Sequence, residues 1–232
     1  MEYSGDEAFD VFLEEIDFPR VLPEIKSRIM CALWSFELCP VNRVLQDLYD
    51  PAEYKFPSDK ALQRFINELV ALWNLLTAHQ DRDSIFELES FIDATDQEDL
   101  LARIYVKNLE VEMLMPLLED GDHIPDEKID EFYSYVTPIE PILRDLVALS
   151  QEVDAAYSAD RLAEWNDKLD EIDSLLNMSF NNIGWMLVEE RRKETPIQAA
   201  PLANPFHHAD PEGPCPCGSG RKFRECCLGK LN

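Results

Sequence analysis

Four of the six cysteines stand in the last eighteen residues, as Cys215, Cys217, Cys226 and Cys227 in the string PCPCGSGRKFRECC. The pattern is C-x-C-x8-C-C, which places a pair of soft sulfur ligands at each end of one short loop. Four thiolates so spaced close a tetrahedral shell around a single zinc ion at about 2.3 Å per bond. With every position filled by protein, no place is left for the water that hydrolytic zinc requires, so the expected site is structural. A disulfide or redox switch is the competing use of these residues. Adjacent Cys226 and Cys227 would have to close a strained small ring, and a reducing cytoplasm keeps thiols free, so the metal is preferred.

The residues between the sulfurs suit that use. Pro214 and Pro216 restrict the backbone around the first pair, while Gly218 and Gly220 admit positive φ, so the chain can wrap the ion with its amides facing sulfur. A zinc with four thiolates carries a local charge of about −2, which Arg221, Lys222 and Arg224 partly offset. The same three cations, with Phe223, form a candidate partner-binding patch: the charges steer toward an acidic partner or RNA phosphate and the ring offers stacking area. Phe223 has an alternative use as a cover that keeps water from the metal. Ser219 lies in no G-x-S-x-G elbow and is read as a turn residue. His207 and His208 are minor candidates for a replacement ligand or a second site.

Phe223, Leu228 and Leu231 are the only large apolar side chains of this stub, too few for a core of its own. Metal binding supplies about 10–16 kcal/mol of apparent free energy in comparable zinc peptides. Without its ion the stub is expected to be unfolded.

From Pro214 to about Gly229 the residues resemble the SEC-C motif, the metal-binding tail of the SecA preprotein-translocase ATPase and of assorted smaller bacterial proteins. The resemblance rests on Cys215 and Cys217, the Gly218-Ser219-Gly220 turn, Arg221-Lys222-Phe223, and the closing Cys226-Cys227, where Cys227 stands at a position that many members fill with His. It implies zinc as cofactor, one ion on four cysteines, and docking to a protein partner such as an export chaperone or the ribosome. YecA-type bacterial proteins also join a helical N-terminal region to such a tail, although residues 1–190 carry none of that family's N-terminal motifs. Nothing of the translocase motor is present, since no G-x-x-x-x-G-K-[ST] phosphate loop occurs.

The body that carries this tail is acidic. Residues 1–190 hold 14 basic and 43 acidic side chains, a net −29, whereas residues 191–232 hold 7 and 4, a net +3. Such a body repels phosphate backbones and anionic lipid surfaces, so DNA is not an expected partner. No stretch approaches eighteen uninterrupted apolar residues, and the opening MEYSGDEAFD lacks the layout of a secretory signal, so a cytoplasmic protein with no membrane span is expected; a bacterial one is what the resemblance implies.

Only Gly5, Gly121 and Gly184 precede residue 191, and apolar residues recur at intervals of three and four, so an all-α domain of eight to ten helices is expected over residues 1–193. The stripes run through Phe9, Phe12, Leu13 and Ile16; Ile25, Ile29, Leu33 and Phe36; and Leu62, Phe65, Ile66, Leu69, Trp73 and Leu76. Ser84 with Glu87, and Thr95 with Glu98, have the spacing of capping boxes at helix starts. The second opens a helix to about Leu118 with a buried stripe of Leu100, Leu101, Ile104, Tyr105 and Leu109, and Pro116 marks its kink or stop. Helices follow Pro125, Pro138 and Ser158, and a last segment through Ile183 and Leu187 ends in Arg191, Arg192 and Lys193, cations suited to a helix C-terminus. Trp34, Trp73, Trp165 and Trp185 are assigned to the core. Cys31 and Cys39, roughly 12 Å apart on a continuous helix, are core thiols rather than a disulfide. His79 and His123 show no evident partners. Glu119, Asp120 and Asp122, with Asp126 and Glu127, lack the EF-hand order and form an acidic loop.

Residues 194–213 contain four prolines and no periodic apolar face, so they form a flexible linker with a mean reach of about 25 Å; residues 214–232 form the zinc module. The expected function is a non-enzymatic adaptor whose tail docks to a protein partner. The alternative is a Mg²⁺- or Mn²⁺-dependent hydrolase in the acidic domain with the tail as targeting element, which metal-dependent nucleotide turnover would reveal.

Overall fold

The computed structural model describes residues 3–37, 39, 41–49, 54–89, 93–194, 212–213 and 222. Among these the chain is all-α, with no β-strand and eight α-helices: α1 Asp6–Glu15, α2 Leu22–Trp34, α3 Val41–Leu48, α4 Asp59–Leu76, α5 Gln97–Leu114, α6 Asp126–Val136, α7 Ile139–Ala156 and α8 Leu162–Glu194. Proline sits where a helix start has no use for an amide donor, at Pro23 inside α2, Pro125 before α6 and Pro138 before α7. Pro116 opens the 3₁₀ turn Met115–His123, which replaces the end of α5 as the sequence implies. No described helix is long and apolar enough to cross a membrane.

The α2 stripe of Ile25, Ile29 and Leu33 is fully buried, and α2 packs along α5, which in turn meets α7 and α8. Phe36 lies beyond the end of α2 at Trp34, and Cys39 further along, so the continuous helix expected between the two thiols is absent. Cys31 and Cys39 are not joined in a disulfide and line one small cavity, with burial pushing the Cys31 thiol up to about 11. Trp34, Trp73 and Trp165 are in the core; Trp185 is half-buried.

Two capping expectations need correction. At α5 the cap is Asp96, whose carboxylate accepts from the Asp99 amide at 3.0 Å, one residue later than the Thr95 pairing with Glu98. Thr95 instead donates its hydroxyl to Asp99 at 2.6 Å. At Ser84 no helix starts. Its hydroxyl is engaged by His79 Nδ1 at 3.0 Å, and the chain from Ile85 to Glu89 is neither helix nor turn, with Phe86 and Leu88 buried and Ile85 and Glu87 exposed. The alternation of apolar and polar residues there suits an extended segment with one buried face.

The third correction is α8, one helix of 33 residues where the sequence suggests two segments. Gly184 sits within it because the Trp34 ring of α2 lies against its backbone: a Cβ added there would stand 2.2 Å from Trp34 Cδ2. In open space Gly184→Ala would stabilise the helix by about 0.5–1 kcal/mol. Against this ring the sign reverses, and overpacking destabilises the domain by about 3 kcal/mol. Urea unfolding measures it; an unchanged or raised midpoint would show that α2 and α8 can part to admit a methyl group.

The basic cluster at the end of α8 serves a neighbouring helix as well as its own. Arg191 is buried and donates to the carbonyls of Leu33 and Ser35 and to Gln80 Oε1, satisfying acceptors at the C-terminus of α2. Arg192 pairs with Asp81 at 2.8 Å and Lys193 with Glu190 at 2.6 Å.

Candidate metal centre

The four cysteines of the tail, with Arg221, Phe223, Arg224, His207 and His208, lie outside the described residues. Lys222 is described: its ammonium is 3.0 Å from Glu212 Oε2, and both side chains are about half-exposed. The ion pair ties the residue two places before the motif to the basic stretch between the two cysteine pairs. It gives Lys222 a local electrostatic partner, so its charge is not reserved for an external one.

The donor chemistry of the tail fits zinc. Between Pro214 and Gly229 the four thiols are accompanied by one carboxylate, Glu225, and no imidazole, so the available set is soft sulfur throughout. In the helical domain no group of three or more His, Cys, Asp or Glu side chains among the described residues is arranged to hold a metal ion. The acidic loop has a structural use: Asp120 accepts from the Phe36 amide at 2.9 Å, and burial raises its carboxyl above the usual carboxylate range. His123 stacks on Phe36 at 3.9 Å, and the His79 carbonyl accepts from the indoles of both Trp34 and Trp185, so both histidines have partners.

Residues 214–229 match the family model of the SEC-C motif. SEC-C motifs typically bind zinc and serve in protein interaction. The N-terminal region has no recognised family. No curated protein and no solved structure matches the chain.

The helical domain holds a group of polar residues that sequence reasoning missed. On α5, Arg103, Lys107 and Glu110 are buried beside Leu100, Ile104 and Val111, whereas Tyr105, expected in the buried stripe, is 62% exposed. Lys107 meets Glu110 at 2.8 Å and Asp173 of α8 at 3.3 Å. Burial raises both carboxyls, that of Asp173 to about 6, against the opposing pull of the Lys107 charge. Arg103 donates to Asn166 at 2.6 Å and to Asp170 at 3.0 Å. The available signal was the i, i+4, i+7 spacing of Arg103, Lys107 and Glu110, which puts three charged groups on one helix face.

Proposed function

We propose that this protein is a bacterial cytoplasmic adaptor in three parts: the helical domain of residues 1–193, a linker of residues 194–213, and a zinc-holding SEC-C tail of residues 214–232 that docks to a protein partner. The match of residues 214–229 to the SEC-C model carries this proposal. Cys215, Cys217, Cys226 and Cys227 are the residues that would hold the ion, and what the ion supplies is closure of a chain too poor in apolar groups to close itself. Arg221, Phe223 and Arg224 are the proposed contact residues, with Lys222 bracing the loop through Glu212.

The net −29 of residues 1–190 restricts the partner. A body of that charge is repelled by RNA and DNA and tolerates basic protein surfaces; an export chaperone or a protein face of the ribosome is the partner that the resemblance of the tail to the SEC-C motif implies. No reaction is assigned to the tail, whose expected shell leaves no open position for substrate.

Full-length zinc-loaded protein is to be tested for co-sedimentation with purified ribosomes and for binding to a purified export chaperone, with Cys226→Ser alongside. Binding by the intact protein to one of them, weakened at least tenfold by Cys226→Ser, is the expected result. Equal binding by the two proteins would reject the tail as the docking element.

A further inference from the structure

Side chains on α5 and α8 hold the extended segment after α4 by its backbone. Asn181 accepts from the Phe86 amide at 2.9 Å and donates to the Phe86 carbonyl at 2.7 Å. Asn166 does the same at Ala94, at 3.0 and 3.1 Å. Between them Asn177 accepts from the Leu88 amide at 2.7 Å, Glu110 accepts from the Glu89 amide at 2.7 Å, and Lys107 donates to the Glu89 carbonyl at 2.9 Å. The contacts run antiparallel to α8, from Asn181 back to Asn166.

Backbone groups that a sheet edge would ordinarily satisfy are here satisfied by side chains fixed on helices. The helices owe their placement to one another, since α5 and α8 each pack on α7 as well as on each other.

We propose that this row is a binding site for extended polypeptide, filled in cis by the described parts of the segment, Ile85 to Glu89 and Asp93 to Thr95, and that a peptide with apolar residues at alternate positions exchanges into it in trans. The occupant's chemistry is read from the segment itself: Phe86, Leu88 and Ala94 face inward, while Ile85, Glu87, Asp93 and Thr95 are exposed and impose little sequence demand. Exchange is favoured by what lies beneath. Lys107 and Glu110 are at most 1% exposed, and Asp173 is also largely covered, so lifting the segment returns hydration to charges that burial penalises. An apolar floor would supply no such opposing force. Because the cis segment is tethered at both ends, its effective concentration is on the order of millimolar, and a free peptide competes weakly until the segment is dislodged.

The test is fluorescence anisotropy with a labelled peptide of residues 84–95, titrated with the full-length protein and with Leu88→Asp. Leu88 is 2% exposed and lies in the hydrophobic core, so an aspartate there is buried among apolar groups, and the segment is expelled. Leu88→Asp is expected to bind the peptide at least tenfold more tightly than the parent, and adding Asn166→Ala and Asn181→Ala is expected to erase the gain. A folded Leu88→Asp protein with no gain would overturn the proposal, as would equal binding of a scrambled peptide without alternation. If Leu88→Asp does not fold, native-state hydrogen exchange on the parent decides. The amides of Phe86, Leu88, Glu89 and Ala94 are expected to open at least tenfold more often than those of α5 and α8, and identical opening would refute exchange.

Discussion

Stripping metal from the reduced protein unfolds residues 214–229 and leaves the helical domain intact. The expectation follows from an imbalance between the two parts. The domain buries a continuous core from Phe9 to Val188, whereas the tail has Phe223, Leu228 and Leu231 and nothing else of comparable size. The tail's folding free energy is thus its metal-binding free energy, about 10–16 kcal/mol in apparent terms for a thiolate site near neutral pH. A strong chelator should collapse the dispersed amide signals of the tail to random-coil positions, with no change in helix content or in the thermal midpoint of the domain. Cys226→Ser should behave as the chelated protein does, because three thiolates leave a position open to water. Acid should do the same through the ligands: each must be deprotonated to bind, so zinc is released as pH falls well below neutrality. Stoichiometric metal measured on freshly purified reduced protein, together with the chelator spectrum, checks the prediction. Absence of metal, or a tail spectrum indifferent to chelator, would remove the basis of the proposed function.

What could be read from the sequence divides by range. The cysteine pattern is local: it needs sixteen consecutive residues and no knowledge of the rest, and it matches the SEC-C model. The stripes of α1, α2 and α4, and the proline-marked starts of α6 and α7, are likewise properties of short windows, and they recur in the structure. Apart from the α5 cap, where Asp96 takes the place expected of Thr95, the failures involve partners distant in sequence. Asn181 and Gly184, both poor helix formers, stand inside the unbroken α8, where Asn181 serves Phe86, 95 residues earlier, and Gly184 receives the Trp34 ring. Ser84 and Glu87 have capping-box spacing, but the segment is held extended by α8. Arg191 looked like a terminator of its own helix, and its strongest contacts are carbonyls on α2, 158 residues away. Tyr105 is expected in the buried stripe, whereas the structure exposes it and buries Lys107 and Glu110. Each side chain supplies the other's missing counter-charge, which single-helix periodicity does not reveal.

Replacing Lys107 is expected to be among the most damaging single changes in the helical domain. Lys107→Met keeps most of the volume but leaves Glu110 and Asp173 without their shared cation and the Glu89 carbonyl without its donor. Breaking one side of a buried ionic group costs about 3–5 kcal/mol, much of it the penalty of the charge left behind. Lys107→Met with Glu110→Gln should recover a large part of the loss, since the abandoned charge is then gone as well. Acidity provides a second readout. Burial lifts Asp173 to about 6 from an ordinary 3.8, so the folded state holds this proton more tightly than the unfolded chain. The group's contribution to stability therefore grows as pH falls from about 6 toward 4 and is flat above that window. Without the Lys107 charge, which pulls both carboxyls down, the window moves upward, and Lys107→Met should regain stability already on acidification from about pH 8 to 6. Urea midpoints of the two proteins across that range measure the shift. A Lys107→Met protein within about 1 kcal/mol of the parent at pH 7, with an unshifted pH profile, would mean that water reaches these carboxylates and that the segment above them does not seal the site.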